Sequence, residues 1–262
     1  MTGMEFIRAV DWDRAHVILD GGYRGQYLYA GESCLIVATR VPPGVAGPPR
    51  HRHPCDQTYF VVQGEITVEL GEKTEVAKTR SAVFIPEGLP HHNWNDGGED
   101  EVHIEVFAPG VLPVQSLVET EDLRDTSVQP AFVREADPAK LTGQDFGLDW
   151  LVDRAGGATH AAVYLAEVPA GKAGPPLHVH EFDQFYFVLQ GTLSVEIGLK
   201  RYDVPPGHLV VLPAQVPHRQ WNEQGQTEQH LTILVPEPVA PSSQEHRWDT
   251  AVELRPAAEQ IV

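Results

Sequence analysis

The chain has 262 residues, with 19 Lys and Arg against 37 Asp and Glu, so its formal net charge is −18. A balance this acidic argues against a nucleic-acid or anionic-membrane partner, since each needs a basic footprint. No apolar run reaches the roughly 18 residues of a spanning helix, the opening stretch lacks the apolar core of a signal peptide, and Cys34 and Cys55 alone make no disulfide framework; the expectation is a cytoplasmic enzyme or binding protein.

Glycine and proline are abundant, at 23 and 22 residues, which favours many turns and short strands. The first half offers β-branched and aromatic segments at 58–62 (TYFVV), 65–70 (EITVEL), 82–85 (AVFI) and 102–107 (VHIEVF). A polar stretch over 110–130 has no sustained periodicity and reads as a boundary. The second half repeats the pattern with FYFVL, TLSVEI, LVVL and HLTILV. The tail from 236 is rich in proline and charge, and either packs across a barrel or hangs loose.

The two halves are copies of one another. Residues 47–71 (GPPRHRHPCDQTYFVVQGEITVELG) and 174–198 (GPPLHVHEFDQFYFVLQGTLSVEIG) lie 127 positions apart and agree at 15 of 25 places. The same offset carries Pro86, His91, Trp94, Asn95, His103 and Pro109 onto Pro213, His218, Trp221, Asn222, His230 and Pro236. EFIRAVD at 5–11 and AFVREAD at 131–137 form a weaker echo at an offset of 126. Duplication predicts two domains, 1–118 and 119–262. Many short strands in each predict an all-β fold of two tandem jelly-roll β-barrels.

The first copy carries His51, His53, Gln57 and His91; the second carries His178, His180, Gln184 and His218. Residues two apart on a strand share a face, so each His-x-His pair can point at one spot, with the Gln in phase and the third His arriving from another strand. Three imidazoles and an amide oxygen suit one divalent transition metal per domain, and Fe, Mn, Co, Ni and Zn all fit such donors. Arg52, Pro54 and Cys55 change to Val179, Glu181 and Phe182 between the copies while all four candidate ligands stay fixed.

The segment His51-x-His53-x3-Gln57-x6-Gly64, followed by Pro86-x-Gly88-x2-His91-x3-Asn95, resembles the two sequence motifs of the cupin superfamily. The second copy matches with His178-x-His180-x3-Gln184-x6-Gly191, then Gly207-x5-Pro213-x4-His218-x3-Asn222. The resemblance covers both halves and implies a bicupin; the nearest in layout is the bicupin isomerase of bacilysin biosynthesis, which shifts a double bond in a cyclohexadienyl 2-oxopropanoate. Four positions depart from the family pattern. Gln57 and Gln184 stand where the family usually has Glu, Gln215 replaces a turn glycine, and Arg80 replaces the glycine kept at Gly207. A neutral ligand set leaves an ion its full charge, which favours an enolisable, oxygen-donating ligand.

Tyr59 and Tyr186 lie in phase with the Gln residues and are the candidate catalytic groups, as proton relays or holders of a substrate oxygen; packing aromatics are the alternative. His103 and His230 sit on a late strand whose inner face is undetermined. Arg50, Arg52 and His92 correspond to Leu177, Val179 and Arg219, so a cationic rim is expected at the first site if those side chains reach its mouth. The leading reading is a metal-dependent isomerase or tautomerase of a small oxo compound. A quercetinase-like dioxygenase and a non-catalytic small-molecule-binding bicupin stay open beside it. The expected partner is a small-molecule substrate, with no nucleic acid or membrane, and homodimerisation is left open.

Overall fold

The computed structural model describes residues 6–110, 125–238 and 250–252. The boundary expected at 118/119 and most of the tail fall outside them. The first copy contributes β1 (Ile7–Ala9), β2 (His16–Leu19), β3 (Tyr23–Ala30), β4 (Leu35–Val41), β5 (Asp56–Gln63), β6 (Glu65–Leu70), β7 (Lys73–Lys78), β8 (Ser81–Ile85), β9 (His91–Trp94) and β10 (Glu101–Ala108). The second contributes β11 (Phe132–Glu135), the one-turn α1 (Pro138–Leu141), β12 (Gly147–Val152), β13 (Ala162–Val168), β14 (His178–Val179), β15 (Asp183–Gln190), β16 (Leu193–Ile197), β17 (Lys200–Val204), β18 (His208–Leu212), β19 (His218–Trp221), β20 (Glu228–Val235) and β21 (Thr250–Ala251). Every pairing is antiparallel, in two barrels that each join a large sheet to a small one. The large sheets run β11-β8-β5-β10-β4-β3-β2 and β1-β18-β15-β20-β13-β12; the small ones run β7-β6-β9 and β17-β16-β19-β14-β21.

The barrels exchange their first strands. β1 pairs with β18 of the second barrel, Ile7 opposite Val210, and β11 pairs with β8 of the first, Val133 opposite Val83. These strands are the echo seen at 5–11 and 131–137, and their registers correspond.

The large sheets are buried on both faces, which is why β5 and β15 read as continuous apolar runs rather than alternating ones. Phe60, Phe84 and Ile104 pack with Phe185, Phe187 and Ile233 in a core shared between the barrels. Their neighbours turn inward: Tyr59, Val61 and Val83 fill the first barrel, and Tyr186, Val188 and Val210 the second. Strand period therefore decides which residues reach the barrel interior, and His and Gln side chains in phase with Tyr59 arrive there.

The departures from the glycine pattern leave the backbone unchanged. Gln215 has φ 64° and Gly88 has φ 80°. Both close the same turn, with Gln215 N donating to His180 O at 2.9 Å and Gly88 N to His53 O at 2.9 Å. Arg80 likewise keeps φ 71° beside the 77° of Gly207, and its guanidinium donates to Gln229 Oε1 of the other barrel at 2.7 Å. Part of the tail does pack: β21 pairs with β14, next to His178.

Candidate metal centres

In the first barrel His51 arrives on the segment before β5, His53 two residues on, Gln57 on β5 and His91 at the start of β9, where His51 and His91 bridge across the strands. Nδ1 of His51 bonds Pro49 O at 2.8 Å and Nδ1 of His91 bonds Leu89 O at 2.8 Å, so both rings turn Nε2 inward. Nε2 of His51 and Nε2 of His53 are 3.1 Å apart. In the second barrel Nδ1 of His178, His180 and His218 bonds Pro176 O, Phe182 O and Val216 O at 2.7–2.9 Å. Gln184 Oε1 lies 2.9 Å from His180 Nε2 and 3.1 Å from His218 Nε2. Each trio, all buried, brings its ligand atoms within 4.8 Å of one another.

The donor set fits a divalent transition metal. His91 Nε2 and Gln57 Oε1 are buried and have no hydrogen-bond partner among the described residues, an expensive arrangement unless something electron-poor sits between them. The backbone carbonyls on Nδ1 fix the tautomer that leaves Nε2 as a lone-pair donor. Burial, helped by neighbouring His51 and His53, holds His91 well below its ordinary value. Burial likewise brings His218 down to about 3, with His178 and His180 adding to it against the opposing bond to Val216. Neutral imidazole is the form that ligates.

The face of β10, undetermined from sequence, points His103 into the barrel. His103 is fully buried; its Nδ1 lies 2.8 Å from Glu101 and its Nε2 2.9 Å from Glu105. Glu105 Oε1 also accepts from Thr39 Oγ1 at 2.7 Å, and Glu105 Oε2 accepts from Gln57 Nε2 at 3.2 Å. This chain of bonds holds the Gln57 amide with its oxygen directed away from the carboxylate. Burial alone would discharge His103, but the charge of Glu101 and hydrogen bonds to Glu101 and Glu105 outweigh it and push His103 up to about 10. Burial also works against the Glu105 charge, yet His103, Thr39 and Gln57 together keep its carboxyl below the ordinary carboxylate value. Glu105 is not among the candidates that the sequence singles out. The available signal was its place two residues beyond His103, in phase on the same strand.

The second barrel breaks this chain. His230 keeps its carboxylate, Glu228 at 2.9 Å, but Thr232 occupies the position of Glu105 and Ala166 that of Thr39. Only the first barrel sets an acidic side chain, Glu105, against one of its candidate ligands, Gln57.

The two tyrosines differ. Tyr186 lines the second cavity and donates to Gln220 Oε1 at 3.0 Å. Tyr59 is buried beneath the first site, its ring 4.6 Å from that of His103. Burial, then the charge of Glu105, raises its phenol well above the ordinary value. The phenols lining the first cavity belong instead to Tyr23 and Tyr27 of β3. The expected cationic rim does not form. Arg50 pairs with Glu69 at 2.7 Å, Arg219 pairs with Glu196 at 2.6 Å, and His92 bonds Pro48 O; none of Arg50, Arg52 and His92 lines the first cavity. Cys55 packs with Leu35, Val37 and Phe107, and burial pushes its thiol up to about 12, so it is inert.

No curated protein matches this sequence. Among solved structures, AerE from Microcystis aeruginosa is similar at 16% identity and a TM-score of 0.65, over 84% of this chain and 96% of that one. The Mn(II)-containing oxalate decarboxylase of Bacillus subtilis is similar at 14% identity and 0.69, over 96% and 80%. The salicylate 1,2-dioxygenase of Pseudoaminobacter salicylatoxidans is similar at 15% identity and 0.63, over 77% and 71%. These likenesses establish the fold. The cupin domain model matches twice, at residues 37–107 and 164–233, together more than half the chain and spanning His51 to His91 and His178 to His218. The chain is a member of the cupin family with two cupin domains in tandem.

Proposed function

We propose that the protein is a metal-dependent enzyme that moves a proton on a small enolisable oxo compound, an isomerase or tautomerase working in its first barrel. The observation that carries this reading is Glu105, a buried carboxylate lining the same cavity as His51, His53 and Gln57. A divalent ion held by the histidines and Gln57 supplies Lewis-acid stabilisation to an oxygen that gains negative charge.

The protein's own groups do the rest. Thr39 and His103 occupy Oε1 of Glu105 and hold the carboxylate in place. Among the described residues Oε2 accepts only from Gln57, which leaves it a lone pair for a substrate proton. A C–H bond adjacent to the substrate carbonyl breaks, its proton passes to Oε2, and its electron pair moves toward the carbonyl oxygen. Returning that proton to a different carbon shifts the double bond with no net redox change. Tyr23 offers a neutral phenol on the same cavity wall, and Leu35, Val37 and Phe107 keep the walls apolar, which strengthens charge interactions inside. The layout resemblance to the bicupin isomerase of bacilysin biosynthesis supports the same chemistry.

The test follows an arylpyruvate in D2O with metal-loaded protein, reading deuterium incorporation by NMR and dissolved oxygen by electrode. Deuterium exchange without oxygen uptake is expected. Oxygen uptake stoichiometric with substrate loss would instead establish the dioxygenase reading.

A further inference from the structure

The second barrel keeps the histidine cluster and surrounds it differently. Its cavity has a volume of about 560 Å³ against about 270 Å³ in the first. Strand register gives the correspondence wall by wall. Trp150 stands opposite Tyr164 where the first barrel has Tyr27 opposite Val37. Phe182 takes the place of Cys55, and Thr232 that of Glu105.

The added side chains are aromatic, and they are ordered around the cluster. The Phe182 ring stacks on His180 at 4.0 Å with 4° between the planes. Trp150 and Tyr164 lie 4.7 Å apart at 49°. Among the described residues, no Asp, Glu, Lys or Arg lines this cavity, so none of them pairs a charged ligand by ion contact. Its polar side chains are His178, His180 and Gln184, the Gln220 amide, the Trp150 indole N–H and two phenols, Tyr164 and Tyr186. A ligand must therefore direct its donor atoms at the histidine cluster and lay an apolar, flat body against aromatic faces, where ring contacts add roughly 0.5–1.5 kcal/mol each beyond area burial.

We propose that the second barrel binds a planar aromatic compound that presents oxygen donors to the His178–His180–His218 cluster. This rests on reading that cluster as a metal site, but not on proton transfer in the first barrel. The aromatic wall makes the second barrel select by ring contact, whereas the first selects by acid–base chemistry.

The experiment loads the full chain with Zn(II), confirms uptake by elemental analysis, and titrates it calorimetrically with catechol and with acetohydroxamate, an oxygen-donor chelator lacking a ring. One equivalent of catechol per chain is expected, bound at least about tenfold tighter than acetohydroxamate, the gain from one or two ring contacts. In the double variant Tyr164→Val/Phe182→Cys, which installs the side chains this fold already carries in its first barrel, that ratio should fall to within about threefold. His91→Ala, which dismantles the first cluster, should leave the ratio intact, and His218→Ala should abolish the aromatic-selective site. Working with a ratio within each variant removes the effect of partial misfolding.

Zinc uptake with no catechol binding, a ratio unchanged in the double variant, or a ratio lost in His91→Ala would each overturn the proposal. Failure to take up zinc at all would overturn this reading and the metal reading together. Absence of deuterium exchange in the first barrel would overturn the proposed function and leave this inference standing.

Discussion

Glu105→Gln separates the chemistry from the scaffold. The wild-type carboxylate accepts three hydrogen bonds, from Thr39 and His103 on Oε1 and from Gln57 on Oε2. A Gln side chain offers one carbonyl oxygen and one NH2. If the oxygen stays with Thr39 and His103, the NH2 meets the NH2 of Gln57, donor against donor. If it turns, the NH2 meets the protonated ring of His103. At least one hydrogen bond is lost either way, and His103 keeps only Glu101 as its counter-charge. Losing a charge-assisted bond costs roughly 1.5–3 kcal/mol, which for a chain of this size lowers the melting temperature by roughly 5–10 °C. The catalytic effect is separable, since removing a positioned base lowers the rate by roughly 10²–10⁴-fold. Deuterium exchange into an arylpyruvate should therefore fall at least a hundredfold at a temperature where circular dichroism shows the variant folded. Glu105→Asp, which keeps a charge but retracts it, should lose less stability and recover part of the exchange rate. Exchange within about threefold of wild type in folded Glu105→Gln would refute the assignment of the base.

Four further outcomes follow from the geometry. His103, pushed from 6.5 to about 10, contributes stability that is fully present below pH 6.5 and lost as pH rises through 10; urea unfolding at pH 6, 8 and 10 should show this decline in wild type and a much flatter profile in His103→Gln. Gln184→Glu should tighten divalent-metal binding about tenfold or more in a competition titration, since among the described residues no carboxylate lines its cavity. Gln57→Glu should gain less, because the new carboxylate would face Glu105 across the 3.2 Å now bridged by an amide N–H, and pairing it with Glu105→Gln should restore the gain. Gln215→Gly should raise stability by about 1 kcal/mol, read as a higher melting temperature, because a non-glycine residue at φ 64° is strained.

The fold was legible because the repeat is long and its strands are short and bounded. An offset that preserves His, Gln, Pro and Asn together locates both barrels and both histidine clusters without any tertiary information. The faint echo between EFIRAVD and AFVREAD was legible as homology, but not as exchange. Which sheet a terminal strand joins depends on the path of the connection, and local sequence does not encode that path. Glu105 was hidden for a related reason. VHIEVF alternates polar and apolar residues as a half-solvated strand would, yet both of its faces are buried, one against the other barrel through Ile104 and one against the site through His103 and Glu105. The arginines at 50 and 52 misled in the opposite direction, since proximity in sequence to two ligands says nothing about where a long side chain finds its carboxylate.

The duplicated ligands and the diverged walls have different physical status, and the contacts between the barrels show why. Asp56 precedes Gln57 on β5; it accepts from Glu87 N, in the turn leading to His91, and from Thr159 of the other barrel. Asp183 precedes Gln184 on β15 and does the same for Ala214 N and for Ser33 of the first barrel. Each carboxylate thus ties a ligand strand to the turn before the third histidine and to the neighbouring domain, while β1 and β11 complete each other's sheets. Moving a ligand would disturb two barrels at once. Changing Val37 to Tyr164, Cys55 to Phe182 or Glu105 to Thr232 alters only what projects into one cavity. A scaffold built this way holds its histidine geometry fixed in both copies and leaves each pocket free to acquire its own chemistry.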